Sequence, residues 1–355
     1  MRGGWIMMKK KIFYILIAMF LLANISSAYH VTIVSKTFKN NRVILKIAVY
    51  DAKEPLVRIT KNMLDNFSFS HKNISYVFNV NLLDFQDIIM GRLDGYDVFE
   101  VPGGVIYYPQ SIKDNVFYLG RWKRNIREFI ADGGGYVGTC GGSTIASQNP
   151  IIFWPLVQSI GFVNIKADVD VLNEGQYISQ YLFTRIGFGI PIKISIKNSG
   201  NPIFFGHYGE NRSIRWWASP SLYDPNSVRN NPLFGEIKVL ATYAEEPSEV
   251  APIHRQLLFG GGKVKTHQKG EYAVIATSYG NGKVVLFGPH PEYSTWLNIS
   301  SSPRDNIKEG VSWRGKWYLW VGGDETSFDY NWWMLRRAIA WVSNKMSDDA
   351  IKEIN

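Results

Sequence analysis

Gly135-Tyr136-Val137-Gly138-Thr139-Cys140-Gly141-Gly142-Ser143-Thr144-Ile145-Ala146-Ser147 holds the only cysteine of the 355-residue chain. Its first residues read as the end of a strand, and Ser143 to Ser147 as a helix. Gly-x-nucleophile-x-Gly between a strand and a helix is the pattern of a nucleophile elbow, a turn so tight that a Cβ on either flank would clash. Such a turn presents Cys140 at the carboxyl edge of a sheet. The amino end of the following helix favours negative charge and should lower the thiol pKa. The other reading is a buried structural cysteine whose glycines serve only the turn.

A second element lies far downstream. Lys283-Val284-Val285-Leu286-Phe287 reads as a buried strand that runs into Gly288-Pro289-His290-Pro291-Glu292. A histidine just past a strand end can reach a thiol on a neighbouring elbow, and a carboxylate two residues on can accept from its other ring nitrogen. That is nucleophile–base–orienter logic. A third element precedes the elbow: Tyr96 to Val101 reads as a strand ending in Pro102-Gly103-Gly104. Glycine amides there could join the Gly141 N–H in an oxyanion hole. An ordinary strand-to-loop turn is the plainer reading of those three residues.

Together, Val101-Pro102-Gly103-Gly104, the run from Ile126 to Gly142, and Gly288-Pro289-His290-Pro291-Glu292 resemble the class I glutamine amidotransferase-like superfamily. Within it the chain is most similar to the biotin–protein ligase N-terminal-domain-like branch, over residues 42–345. The resemblance implies Cys140 as nucleophile, His290 as base and Glu292 as its partner, with Gly104 and Gly141 at the oxyanion. Two features depart from the family. Glutamine-hydrolysing members usually carry a Gln shortly after the elbow, where this chain has Ser143-Thr144. The chain also shows neither a synthetase domain to receive ammonia nor a glycine- and arginine-rich biotin-activation motif, so it does not read as a biotin ligase. Fold carries over from such a resemblance better than substrate does.

Working outward, Val43–Tyr50 reads as a buried first strand, Pro55 to about Phe67 as a helix, and Ile74–Val80 as a second strand. A helix near Leu82–Met90 leads to the Tyr96–Val101 strand, and Val116–Asp132 is helical up to Gly133-Gly134-Gly135. This alternation implies an α/β fold: a flavodoxin-like, mostly parallel sheet with helices on both faces. Ligands in such sheets bind at the carboxyl ends of the strands, where all three glycine motifs fall. Between about 164 and 270 the pattern becomes an antiparallel, β-rich insertion, with strands expected at Ala167–Leu172, Ile192–Ile196, Ile203–His207, Ile214–Trp217 and Lys238–Tyr243. Tyr272–Ser278 and Lys283–Phe287 flank Gly280-Asn281-Gly282, where Asn-Gly suits a tight hairpin turn. Trp332–Ser343 reads as an amphipathic helix covering the sheet, and 346–355 as a tail.

At the amino end, Lys9-Lys10-Lys11 precedes an apolar run from Ile12 to Ile25 that exits through Ser26-Ser27-Ala28. That is the form of a secretory signal peptide over residues 1–28, followed by a linker or edge strand over 29–41. The run is shorter than the roughly 20 residues of a membrane span. An uncleaved membrane anchor formed by residues 12–25 is the alternative. Either places the chain outside the cytoplasm, secreted or held on the outer face of the membrane. A lone thiol in an exported chain is a liability unless it is buried or used. Sequons at Asn66, Asn73, Asn211 and Asn298 could be glycosylated there.

The formal charge is +9, of which Arg2, Lys9, Lys10 and Lys11 supply four. The remainder is a mild, scattered excess, with no nucleic-acid footprint. Hydrophobic residues make up 46%, enough for a sizeable core. His207, His254 and His267 show no ligand spacing, and Gly260-Gly261-Gly262-Lys263 lacks the rest of a phosphate loop, so neither a metal nor a cofactor is expected. Trp296, Trp313, Trp317, Trp320, Trp332 and Trp333 could line a substrate cleft, although an aromatic core is the plainer reading. Glu210 and Arg212, beside Tyr208, could border the site. Two functions follow: an exported cysteine hydrolase acting on an amide or peptide bond of a peptide or small molecule, or a non-catalytic envelope or binding protein using the same cleft.

Overall fold

A computed structural model describes residues 41–53, 55–104, 116–148, 159–168, 170, 173–177, 189–224, 230–253, 255, 261–299 and 323–355. The expected leader 1–28, its apolar run 12–25 and nearly all of the linker lie outside those residues, as do Trp313, Trp317, Trp320 and His254.

The first strand, β1 (Arg42–Tyr50), alternates cleanly. Leu45, Ile47 and Val49 enter one core, and Ala48 and Tyr50 the other. A strand buried on both faces belongs at the centre of a parallel sheet. It pairs in parallel with β3 (Ile74–Leu83) on one side and β4 (Val98–Val101) on the other. The sheet continues through β5 (Gly135–Thr139) to β12 (Gly282–Phe287), all in parallel. The parallel strands therefore run second-first-third-fourth-fifth, the flavodoxin-like order.

Helices cover both faces. On one lie α1 (Pro55–Leu64), α6 (Trp332–Val342) and α7 (Asp348–Lys352), whose apolar sides share a core with Leu45, Ile47 and Val49. On the other lie α2 (Phe85–Ile89), α3 (Leu119–Ala131) and α4 (Gly141–Ala146). Local chemistry sets their ends. Asp84 and Asp87 form a reciprocal capping box at the start of α2, with bonds of 3.0 and 3.1 Å. In α3, Trp122, Ile126, Phe129 and Ile130 recur at helical spacing and are all buried. Each such large side chain contributes about 1.5–3 kcal/mol by leaving water.

The β-rich region is no appendage. Strand β12 turns back into β11 (Tyr272–Tyr279), and antiparallel pairing continues through β10 (Lys238–Tyr243) and β7 (Ile190–Ile196) to β8 (Asn211–Trp216). Short β6 (Lys166–Asp168) and β9 (Ser221–Tyr223) branch from β11, and a single helical turn, α5 (Pro247–Val250), follows β10. One sheet, twelve strands among the described residues, thus spans both halves.

Several sequence expectations change. The helix from Pro55 stops at Leu64, because Asn66 takes a left-handed φ of 59° and the chain turns into an unforeseen edge strand, β2 (Ser68–His71). Ile203–His207 is not a strand: Pro202–Phe204 is a 3-10 turn, capped by the Asn201 side chain on the Ile203 N–H. The hairpin turn centres on Gly280-Asn281 rather than Asn281-Gly282, since Tyr279 pairs with Gly282 and Gly280 carries the positive φ. The stretch 346–355 is more than a tail. Ser347 caps α7, and Ile351 and Ile354 are buried in the main core.

Candidate functional site

The carboxyl ends of β4, β5 and β12 carry the three glycine motifs, and the parallel register brings them side by side. Cys140 follows β5 directly and is the residue before α4, at φ 47° and ψ −104°. A non-glycine residue with this backbone is strained by about 1–3 kcal/mol and persists only when its surroundings impose it. They do so here. The Cys140 N–H donates to the Phe287 carbonyl of β12 at 2.8 Å. The buried Ser143 hydroxyl lies 2.9 Å from the Gly138 carbonyl and 2.7 Å from that of Phe287. The Tyr136 hydroxyl donates to the Gly142 carbonyl at 2.8 Å. A Cβ on Gly142 would lie 2.0 Å from the Val101 carbonyl oxygen, so the elbow can form against β4 only with glycine there.

Histidine 290 is buried just after β12. Its N–H donates to the Arg215 carbonyl at 2.9 Å, an antiparallel bridge that pins the loop to the end of β8. Its Nδ1 lies 2.7 Å from Glu292 Oε1, and both side chains are almost fully buried. The ring is also hydrogen-bonded to Cys140. Burial alone would lower the imidazole pKa. The negative charge of Glu292, then that of Cys140, overrides this and raises it to about 10. His290 therefore holds a proton at neutral pH.

Gly103 closes the other side: a Cβ on it would lie 2.6 Å from His290 Cε1 and 3.2 Å from Cys140 Cβ. Gly104 takes φ 108°, open only to glycine at low cost. Gly141 opens α4, so its N–H has no partner within the helix. Of the five expected site residues, Cys140 and His290 are in contact, Glu292 holds His290, Gly141 follows Cys140 in the chain, and Gly104 follows Gly103, which packs on both Cys140 and His290.

The aromatic wall is only partly the expected one. Trp217 and Tyr293 pack against His290, with ring centroids 6.3 and 5.9 Å away, and Phe328 extends the wall from Tyr293 to solvent. Trp332 and Trp333 belong to α6; the Trp332 indole N–H donates to the Glu292 carbonyl and Trp333 stacks on His207. Arg212, expected at the border of the site, instead binds Asn331 and the Tyr330 carbonyl ahead of α6, and Glu210 pairs with His207. Trp296 and Tyr293 flank the buried Arg215 guanidinium, at 4.7 and 5.0 Å.

Glu100 is the residue that sequence reading missed. It sits mid-strand in β4 between Val49 and Val137 and is fully buried. Among the described residues no group hydrogen-bonds either of its carboxyl oxygens. Burial, and then the charge of Glu292, pushes its pKa well above the carboxylate range. Ionised without a partner, it would cost on the order of several kcal/mol. The available signal was an acid within the otherwise apolar run Val98-Phe99-Glu100-Val101.

The family model described as "Biotin-protein ligase, N terminal" matches residues 223–312, a stretch that includes His290 and Glu292 and begins after Cys140. No curated protein matches the chain. Among solved structures the chain is similar to PurLQS from Thermotoga maritima, at 15% identity and a TM-score of 0.38, over 70% of this chain and 87% of that one. It is also similar to a thuA-like protein from Bacteroides uniformis, at 13% identity and a TM-score of 0.35, over 69% and 82%. A beta-galactosidase from Bacillus circulans aligns at 14% identity and a TM-score of 0.36, over 69% of this chain but 28% of that one. The family match agrees with the sheet order and the three loop motifs in supporting a glutamine amidotransferase-like fold.

Proposed function

We propose that this chain is an exported cysteine hydrolase that cleaves an amide or peptide bond of a peptide or small molecule. The observation that carries the reading is the contact of Cys140, strained on its elbow, with a buried His290 whose Nδ1 is held 2.7 Å from Glu292. In this mechanism the Cys140 sulfur attacks the carbonyl carbon while His290 holds the proton. The amides of Gly104 and Gly141 receive the negative charge that develops on the carbonyl oxygen. His290 then gives its proton to the leaving amine, the C–N bond breaks, and a thioester remains. Water, deprotonated by His290, hydrolyses the thioester and restores the thiol. Glu292 keeps the ring in one orientation throughout.

Free glutamine is a poor fit. The position where glutamine-hydrolysing relatives usually carry Gln is filled by Ser143-Thr144, and the Ser143 hydroxyl is engaged by two main-chain carbonyls. Export rests on the Lys9–Ala28 pattern. No helix among the described residues is long and apolar enough to cross a membrane. Intact mass of the native protein tests this part: cleavage after Ala28 gives a chain starting at Tyr29, and a cytosolic chain retaining Met1 refutes export.

Hydrolysis of amide and peptide panels by the wild type, Cys140→Ala, His290→Ala and Glu292→Gln tests the chemistry. Loss of nucleophile or base should cost about three or more orders of magnitude in turnover, and loss of the orienter less. Robust glutaminase activity refutes the substrate class. Unchanged turnover in Cys140→Ala refutes the mechanism. A broad panel on which the wild type is inert favours a binding protein that uses the aromatic wall of Trp217, Tyr293 and Phe328.

A further inference from the structure

Glu100 and Glu292 are two fully buried carboxyl groups, close enough for the charge of one to be felt by the other. Glu292 uses Oε1 on His290, while its Oε2 has no hydrogen-bond partner among the described residues. Glu100 has no partner there for either oxygen. Its strand neighbours Val49 and Val137 belong to the same apolar core as Val98, which places Glu100 on the face covered by α6. The α6 cations turn elsewhere: Arg336 binds the Met63 carbonyl and Arg337 binds the carbonyls of Ile203, Phe205, Lys352 and Ile354. Helix α4 offers no ionisable side chain. The ionisable groups coupled to Glu100 are Glu292 and the Tyr136 phenol, and the latter already donates to Gly142. An acid among valines with no cation in reach among the described residues stays neutral, and a neutral acid carries one O–H that must find an acceptor.

We propose that Glu100 is a positioning residue of the Cys140–His290–Glu292 set: a protonated carboxyl group whose O–H serves the open Oε2 of Glu292, directly or through one buried water. It does not touch substrate. It acts through Glu292, keeping that side chain aimed at His290. The role rests on the triad reading of the site, but it is testable in the resting protein without turnover.

Two substitutions separate the alternatives. Glu100→Gln retains a neutral donor of nearly the same shape, and Glu100→Val continues the apolar layer. The measurements are the His290 titration by NMR of imidazole-labelled protein, the pH profile of Cys140 alkylation by iodoacetamide, and urea unfolding at pH 5 and pH 8. With that donor lost, Glu292 is held less firmly against His290, so the His290 pKa should fall by about one to two pH units in Glu100→Val and the step of the alkylation profile that follows His290 should move down with it. Glu100→Gln should behave as wild type in both. Stability should respond oppositely. A carboxyl group whose pKa is raised on folding contributes stability that is complete below its unfolded value, about 4.3, and is lost as pH rises through the folded one. Glu100→Val should therefore gain stability over wild type at pH 8 more than at pH 5. A His290 titration and alkylation profile unchanged in Glu100→Val overturns the proposal. So does a Gln variant as impaired as the Val variant, because that would assign the role to a charge. An inert wild type on every amide panel would count against the hydrolase alone and leave these readouts intact.

Discussion

The parallel and antiparallel halves of the sheet hold their shares of the site by different means. On the parallel side Cys140 is imposed by a dense local set: Gly138, Gly142 and Ser143 within three residues, with β4 and β12 packed directly against them. On the antiparallel side His290 rests on the far-upstream Arg215, whose carbonyl takes its N–H and whose guanidinium is layered between Tyr293 and Trp296. The difference is one of range. Cys140 is aimed by steric exclusion around a tight turn. His290 is aimed by an extension of the sheet whose own ordering depends on strands β7, β10 and β11.

The largest expected effect tests the steric half. Gly142→Ala would place a methyl group 2.0 Å from the Val101 carbonyl oxygen, backbone against backbone. A loss of roughly 3 kcal/mol or more in urea unfolding is expected, together with loss of Cys140 alkylation selectivity. A variant as stable as wild type would mean the elbow does not pack on β4 in this way.

Next in size is a pH effect centred on the seam between the halves. His290 is raised on folding from 6.5 to about 10. Its contribution to stability is therefore complete below about pH 6.5 and is lost as pH rises through about 10. Thermal unfolding of wild type should weaken across pH 7–10, and His290→Gln should lack that part of the slope. Parallel pH curves for the two would remove the ion-paired histidine from the picture.

A matched pair of substitutions then sharpens the contrast. Ser143→Ala deletes a buried hydroxyl that serves two carbonyls, and Arg215→Met deletes the layered guanidinium while leaving its main-chain bridge in place. Each should cost about 2 kcal/mol. Their NMR signatures should differ. The Ser143 variant should disturb resonances from Gly138 to Ala146 and Phe287, and the Arg215 variant those of Tyr293, Trp296 and His290. Identical perturbation patterns would erase the distinction between local and long-range support.

The smallest effect has the opposite sign. Cys140→Gly relieves a residue held at φ 47° and should raise stability by about 1 kcal/mol while removing the thiol. A decrease would mean that the Cys140 side chain contributes more through its contacts than its backbone costs.

Much of this architecture was legible in the chain itself. Alternating burial wrote β1, the 3.6-residue spacing of Trp122, Ile126, Phe129 and Ile130 wrote α3, and the glycines around Cys140 wrote the elbow, because each is a short-range steric or hydrophobic constraint. Cys140, His290 and Glu292 could be picked out for the same reason, each standing beside a strand end with its own punctuation. Edge strand β2 was missed because Lys72-Asn73 makes a turn without glycine, its φ angles of 46° and 61° taken by residues that do not announce them. The 3-10 turn at Pro202–Phe204 was missed because its cap lies in one side chain, Asn201.

Sequence alone therefore determined the elbow and the parallel alternation and singled out Cys140, His290 and Glu292 as the candidate set, since these depend on residues a few positions apart. Tertiary structure decided what depends on strands meeting across the chain. It made the β-rich stretch an extension of one sheet, docked His290 on Arg215, and brought Trp217 against the histidine. It also turned Glu100 from an oddity in an apolar strand into a buried acid beside Glu292. Desolvation and charge proximity are properties of the packed interior, and no spacing along the chain encodes them.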